Sequence, residues 1–398
     1  MRGLRVLISG ASIAGPALAF WLSRYGCQVT VVERAPAFRP GGQAVDFKGE
    51  THRKVLDRMG LWEEICRRQT SKTDLIIVDE HDRRLSMIPG EFAGGDVEIL
   101  RGDLATLLYE QTASGCEYLF GNSITSLTET RNDVDVTFTE APPRSFDLVV
   151  GADGIHSNVR RLAFGAEEQF VTHLGYYYAV VGTRMEKPEH AKARAQGYMY
   201  NTPGRLAVIG GPKAPELFVF ASPPLQFDRY NIDEQKQILR QAFIGIGWKV
   251  PEMLARLGDA PEFYLDSISR VRMDTYTSGR FALLGDAAYG NTLGGFGTGL
   301  AMVGAYVLAG ELAAAAGAHE QAFARYNEQM FTYAKVARKG SAGPFLAPAT
   351  PMKIRMRNWT FNFSPMFRAM MWLTDRFATD IRLRDYANAG RSAPATDG

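Results

Sequence analysis

The stretch LRVLISGASIAGPALAFWLSRYGCQVTVVERA sets Gly10, Ser12 and Gly15 between an apolar run and a helix-like run, and closes the next apolar run with Glu33. Two chemistries use such a pattern. A dinucleotide loop keeps its residues small so that peptide N–H groups, here around Ile13 and Ala14, can approach a pyrophosphate. A carboxylate roughly 20 residues on then accepts from ribose hydroxyls. A nucleophile elbow, GxSxG, instead exposes a reactive serine on a strained strand-to-helix turn and needs glycine two residues after it. That position is Ala14, and no HGGG-type oxyanion segment is visible. The phosphate loop is the better reading, with Ser12 as a small polar substitute for the middle glycine; an ordinary glycine turn is the bland alternative.

Two later stretches repeat the theme of an apolar run ending in glycine and aspartate. DLVVGADGIHSNVR carries Gly151, Asp153 and Gly154, and GRFALLGDAAYGNTLGGFGTGLAM carries Gly285 and Asp286. An aspartate so placed can accept hydrogen bonds from ribose or ribityl hydroxyls while neighbouring amides face phosphate.

These residues need elements to hold them. The pattern predicts a strand over 4–9, a helix over 14–25 and a β-branched strand over 28–33, a βαβ unit at the start of the chain. Helices are expected over 51–59 and 103–112, and strands over 74–79 and 97–100 about a polar turn. The runs SITSLTET and DVDVTFTE read as extended. From about 170 to 264, GYYYAVVGTRM, RLAVIGGP and ELFVFASP read as a largely antiparallel sheet with a helix over 232–244. An apolar helix follows over 298–317. MFRAMMWL reads as part of C-terminal helices and AGRSAPATDG as a frayed tail.

Composition narrows the class. At 398 residues the chain has room for two or three domains, and 46% hydrophobic with 22% charged residues is ordinary for a globular protein. A net charge of +2 gives no case for nucleic acid or an anionic membrane surface. Cys27, Cys66 and Cys116 lie far apart without CxxC spacing, which fits a reduced, cytoplasmic setting. No run of about 18 consecutive apolar residues points to stable membrane insertion. His52, His81, His156, His173, His190 and His319 lack ligand spacing and read as surface or core histidines, so no metal is expected.

With its three glycine signatures in order, the chain resembles the single-component class A flavin monooxygenases, the aromatic hydroxylases of the p-hydroxybenzoate hydroxylase fold. The likeness spans nearly the whole chain. GGQAVDFKGETHRKVLDRMGLWEEI and EILRGDLATLL are similar to tetracycline-inactivating and polyketide-tailoring members. The resemblance implies an α/β fold: a Rossmann-like FAD-binding domain from residues 1–70, 97–169 and 265–350, a β-rich antiparallel substrate domain from 71–96 and 170–264, and a C-terminal helical segment, 351–398. It implies FAD, NADPH or NADH as reductant, and O2 as co-substrate, with hydroxylation of an aromatic or polyketide-like molecule through a C4a-hydroperoxyflavin. Either a monomer or a homodimer is compatible with it.

Carried over by position, Gly10, Ser12, Ile13, Ala14 and Gly15 would shape the pyrophosphate loop, Glu33 would bind the adenosine ribose, and Arg34 would lie by the adenine. Asp46 and Arg101 match cofactor-contacting positions, with a turn aspartate and a surface ion-pair arginine as the lesser alternatives. Asp153 and Gly154 would carry the motif shared by FAD and NAD(P)H. Gly285 and Asp286 would meet the ribityl or pyrophosphate region. Gly294, Gly295 and Gly297 would line the isoalloxazine ring, and the helix from Thr298 would aim its positive end there.

One departure is plain: this chain has NTLGGFG, with Thr292 and Leu293 where the resembled enzymes usually carry a proline. Tyr176, Tyr177, Tyr178, Tyr198 and Phe220 are candidates for a substrate wall, each against the alternative of core packing. No Ser/His/Asp set stands out as catalytic, because a cofactor would carry the chemistry. A same-fold reductase or oxidase and a non-catalytic flavin or drug binder are the other readings; a halogenase lacks its WxWxIP motif here.

Overall fold

The computed structural model describes residues 1, 3–38, 43–182, 195–211, 216–295, 297–337, 339–363 and 383–386. MFRAMMWL, AGRSAPATDG, Phe296 and parts of two sheet runs lie outside them.

β1 (Arg5–Ser9), α1 (Ala14–Arg24) and β2 (Gln28–Glu33) form the expected βαβ unit at the centre of a six-stranded sheet. Its strand order is Thr277–Ser278, Phe281–Leu283, Leu148–Gly151, β1, β2, Glu117–Phe120, parallel except at the Thr277–Ser278 edge. Val6, Leu7, Ile8, Val149 and Val150 are fully buried, as both faces of a parallel sheet must be. The Gly297–Ala314 helix covers one face beside α1. It is apolar all round and long enough to cross a membrane by length and composition, yet 83% of it is buried inside the protein, the pattern of a core helix. A three-stranded meander, Ile124–Glu129, Val134–Phe138 and Arg144–Phe146, leads into the Leu148–Gly151 strand.

The second large sheet has seven strands in the order Glu262–Val271, Val171–Gly182, Glu216–Ala221, Arg205–Ile209, Ala195–Thr202, Thr73–Val78, Arg84–Ile88. All pairings are antiparallel except that of Ala195–Thr202 with Thr73–Val78. The expected strand at 97–100 pairs not across that polar turn but with Ala44–Phe47, while Arg84–Ile88 takes the hairpin position.

Strand alternation divides this sheet's side chains between two faces. Tyr177, Phe220 and Phe218 pack with Leu239, Phe243 and Met253 under the helices Ile232–Ala242 and Val250–Arg256. Tyr198 lies on that side too, its ring 5.3 Å from Lys249 Nζ. Tyr176, Tyr178, Met199 and Ile268 occupy the opposite face with Leu293. Of the five aromatics considered for a substrate wall, only Tyr176 and Tyr178 therefore share a face with the NTLGG turn. The other three are core or back-face residues because the strand period is two.

Candidate functional site

The N-terminal loop is shaped by two positions that admit no side chain. Gly10 has φ +107°, and a Cβ there would lie 2.5 Å from the Ala152 carbonyl oxygen; a Cβ on Gly15 would lie 1.9 Å from the Gly10 carbonyl oxygen. Chain therefore passes over chain at this point, and only hydrogen fits. α1 starts at Ala14 with no side-chain cap, so its first-turn N–H groups, beside Ile13 and Gly15, are available to an outside acceptor. Ser12 Oγ accepts from Arg101, 3.2 Å from Nε and 2.9 Å from Nη2. A guanidinium cannot take a proton, so the serine is not activated as a nucleophile.

Glu33 steadies the same loop: Oε2 accepts from Ala11 N and Oε1 from Ala35 N, both at 2.9 Å. Each carboxylate oxygen keeps further acceptor capacity for a ribose hydroxyl. Arg34 turns outward and lies 4.4 Å over the Tyr230 ring, donating to its hydroxyl. Asp46 stands on the Ala44–Phe47 strand, and its Oδ1 accepts from Gly95 N at 3.2 Å.

The two aspartates of the later signatures behave differently. Asp153 is turned onto its own loop: Oδ2 accepts from Ser9 Oγ at 3.0 Å, Asn158 N at 3.0 Å and Val159 N at 3.1 Å, and Oδ1 accepts from Ser157 Oγ. Burial raises its pKa despite these donors. It ties β1 to the start of the Asn158–Ala163 helix. Asp286 is reached by solvent yet ringed by protein, as a group on the floor of a cleft is, and that enclosure raises its pKa against the pull of Arg101. A Cβ on Gly297 would sit 3.3 Å from Asp286 Oδ1, so this carboxylate lies over the start of the 18-residue helix. Gly285 fits between Ala14 and Ala301, which brings the first and third signatures together.

Beneath them runs Arg160, fully buried, which sequence reasoning missed. Its Nη1 donates to Ala287 O at 2.8 Å and its Nη2 to Ile155 O at 2.6 Å. It joins the GADG loop to the GDAAYG loop; nothing in SNVRR marks one arginine as internal and the next as exposed.

The missing proline has a substitute. Thr292 N donates to Ser269 O at 3.0 Å, and Ser269 N donates to Thr292 Oγ1 at 3.3 Å, while Gly294 N donates to Asn291 O at 3.0 Å. The turn is thus fastened to the Glu262–Val271 strand rather than stiffened by a ring. Leu293 sits at φ +57°, an unfavourable conformation that costs roughly 1–2 kcal/mol, and its side chain packs against the sheet face that carries Tyr178.

His156, read from sequence as an ordinary core or surface histidine, lies between two carboxylates. Nδ1 is 2.9 Å from Glu167 Oε1, and Nε2 is 3.0 Å from Asp266 Oδ1. Burial works to lower the pKa of His156, and the bonds to Asp266 and Glu167 more than reverse it, so the net shift is upward. Burial works to raise Glu167, and His156 and Arg229 pull it down to about 2. A raised histidine contributes stability that is complete below the unfolded value of 6.5 and is lost as pH rises through the folded value. The melting gap between the wild type and His156→Gln should therefore be largest below pH 6.5 and shrink on the alkaline side. Differential scanning fluorimetry from pH 5 to 9 checks this, and a gap that is flat or grows with pH contradicts it.

The cleft therefore holds an uncapped helix start, a loop from which side chains are excluded, acceptors at Glu33 and Asp286, and Arg101 bonded to Ser12 of that loop. Those features fit a dinucleotide with a flat ring system. Among the described residues no His, Cys, Asp or Glu side chains gather in threes to hold a metal ion.

Comparison with known proteins agrees with that geometry. Residues 3–339 match the FAD binding domain family model. The chain is 36% identical over 348 residues to a flavin-dependent monooxygenase of Legionella longbeachae, covering 85% of this chain and 88% of that one. It is 40% identical over 332 residues to an uncharacterised Mycobacterium tuberculosis protein, covering 81% and 89%. Among solved structures, one tetracycline destructase superposes with a TM-score of 0.77 at 30% identity, covering 97% of this chain and 100% of that one. A second gives 0.74 at 34%, covering 93% and 98%.

Proposed function

This chain belongs to the FAD binding domain family and is a flavin-dependent monooxygenase, and from that premise we propose that it uses NADPH or NADH and O2 to hydroxylate a small aromatic or polyketide-like molecule. The observation that carries the reading is the fastening of the NTLGG turn to the substrate sheet: Thr292 N donates to Ser269 O at 3.0 Å on the Glu262–Val271 strand, the pairing partner of the strand that bears Tyr178, and Leu293 packs on the same face as Tyr178. A flat substrate would be held where that sheet face and the cofactor meet. Two of the similar structures are tetracycline destructases, which supports a polycyclic substrate.

FAD, when bound, supplies the redox chemistry and the activation of oxygen. The protein's part is binding, orientation and exclusion of water. The start of α1 with Gly10, Ser12, Ile13, Ala14 and Gly15 would take the pyrophosphate, with Arg101 adding positive charge. Glu33 would accept from the adenosine ribose, and Asp286 from the ribityl chain. Gly294, Gly295 and Gly297 would leave room for the ring system. The start of the Gly297–Ala314 helix would present partial positive charge to it. Asp153 and Gly154 would act by shaping the wall between the two glycine loops. In this reading residues 1–70, 97–169 and 265–350 serve the cofactor, and 71–96 with 170–264 serve the substrate.

The test is anaerobic mixing of the FAD-loaded protein with NADPH or NADH. Flavin bleaching is expected, followed on aeration by oxygen uptake and a +16 mass shift in a phenol or polyketide. Bleaching with only peroxide formed would make the protein an oxidase. No bleaching with either nicotinamide, whatever substrate is present, would sink the monooxygenase reading.

A further inference from the structure

The Pro351–Asn362 helix has two apolar sides, and only one of them is used by the fold. Thr350 caps the helix, its Oγ1 accepting from Lys353 N at 3.3 Å, and Pro351 opens the first turn. At about 100° per residue, Ile354, Arg357, Asn358 and Phe361 fall together on one face. That face is the inward one. Arg357 is buried and donates to Phe345 O, Leu346 O and Asn201 Oδ1, and Ser86 Oγ donates to Asn358 O at 3.1 Å. The Phe361 ring meets Phe92 at 5.3 Å and Phe345 at 6.1 Å. So many fixed partners keep the helix from rolling to hide its other side.

The other side carries Met352, Met356, Trp359 and Phe363, four, three and four residues apart, which sets them in one narrow stripe. They are between 45 and 67% exposed. A solvated helix face carries polar side chains along such a stripe, and here the polar residues keep to its edges. Trp359 and Phe363 stack with centroids 5.2 Å apart and planes 7° apart, so the two rings form one plate. Lys353 and Arg355 are exposed and flank the stripe on its two sides, and Arg84 is exposed on the strand against which the helix packs. The helix contains no acidic residue, and among the described residues no carboxylate pairs with any of these three cations.

We propose that this face is a peripheral docking surface for a bilayer containing anionic lipid. The stripe enters the boundary between headgroups and acyl chains, and Lys353, Arg355 and Arg84 meet the lipid phosphates. The helix lies on the bilayer and does not cross it. An apolar stripe edged by cations on both sides, with an aromatic plate at one end, matches that boundary in both of its layers. The whole-chain charge of +2 conceals the arrangement because the excess is local. A second copy of this chain fits less well. A two-fold axis would lay stripe on stripe and bring like cations together, with no acid of the helix to offset them. Phe361, on the inward side, packs on the sheet face of Tyr176 and Tyr178, so docking sets the seven-stranded sheet against the bilayer. The inference does not depend on which reaction the cleft performs.

Co-sedimentation of the FAD-loaded full chain with vesicles of phosphatidylcholine, alone or mixed with phosphatidylglycerol, tests this. Wild type should bind the anionic vesicles, bind the neutral ones at least about tenfold more weakly, and come off in part at high salt. Trp359→Ser should lower the affinity about 10- to 100-fold. Lys353→Gln combined with Arg355→Gln should lower it about 10- to 30-fold. Both variants should keep the melting temperature and flavin content of wild type, because all three side chains are on the outside. Should Trp359→Ser misfold, the charge variant decides, since it removes no packing. Failure to bind either vesicle overturns the proposal, as does binding indifferent to lipid charge and to both variants. Self-association of the lipid-free protein that Trp359→Ser abolishes, seen by sedimentation velocity, also overturns it and gives the stripe to a second copy.

Discussion

Gly15→Ala is expected to yield a folded protein that purifies almost without flavin. A Cβ at that position would lie 1.9 Å from the Gly10 carbonyl oxygen, far inside contact distance, and the obstruction is backbone rather than a side chain that could swing away. Gly10 cannot retreat, because it is itself pressed on Ala152 and its N–H is bonded to Val32 O at 2.8 Å. The start of α1 must then move outward, carrying its free N–H groups away from the pyrophosphate. Displacement of this kind should weaken FAD by at least about a hundredfold, roughly 3 kcal/mol. Flavin content from the visible spectrum, and FAD titration of the stripped protein by flavin fluorescence, give the result. Circular dichroism against stripped wild type separates lost binding from lost folding. Ser12→Gly is the companion: it restores the ordinary middle glycine and removes only a hydroxyl bonded to Arg101, so it should keep its flavin. Full flavin in Gly15→Ala would mean that the loop is not the cofactor site.

The glycine loops were readable because their constraints are local. Gly10, Gly15 and Glu33 sit within one βαβ unit, where residue size and a spacing of about 20 carry the physical requirement directly. Asp153 and Asp286 were singled out by the same logic, but their orientation was not legible, because sequence cannot say which way a carboxylate turns. Asp153 spends its oxygens on Ser9, Ser157 and the following helix, whereas Asp286 faces the cleft. The aromatic strand was harder. In GYYYAVVG three tyrosines stand in line, and alternation sends Tyr177 to one face and Tyr176 and Tyr178 to the other. Which face meets the cofactor depends on the pairing with Glu262–Val271, about 90 residues away. The pairing of Asp266 with His156 was out of reach for the same reason, since no spacing links positions 110 apart that touch only after both sheets have formed. The absent proline drew attention to the right turn but not to its remedy, the Thr292 to Ser269 pairing.

Arg160→Met should cost more stability than any surface change and should loosen the cofactor site from below. The guanidinium is wholly buried, and that burial lowers its pKa against the pull of Glu167 and Asp153. What it supplies is two donors, to Ala287 O and Ile155 O, from opposite arms of one planar group. Methionine replaces much of the stem and leaves both carbonyls without a partner, a loss of about 2–5 kcal/mol. Relief from burying an unpaired charge works the other way. It should not win, because the change also unfastens the loop bearing Asp286 from the loop bearing Asp153, and both carry backbone that needs fixed positions. Lysine should rescue poorly, since one ammonium on a flexible stem cannot span both oxygens. Chemical denaturation of stripped and FAD-loaded protein measures the two effects: a lower midpoint in both, and a larger drop when FAD is bound, because the Asp286 loop would then be holding ligand as well as chain. A variant within about 1 kcal/mol of wild type in both states would show that the two loops are held by their own packing, and that the arginine merely fills the space between them.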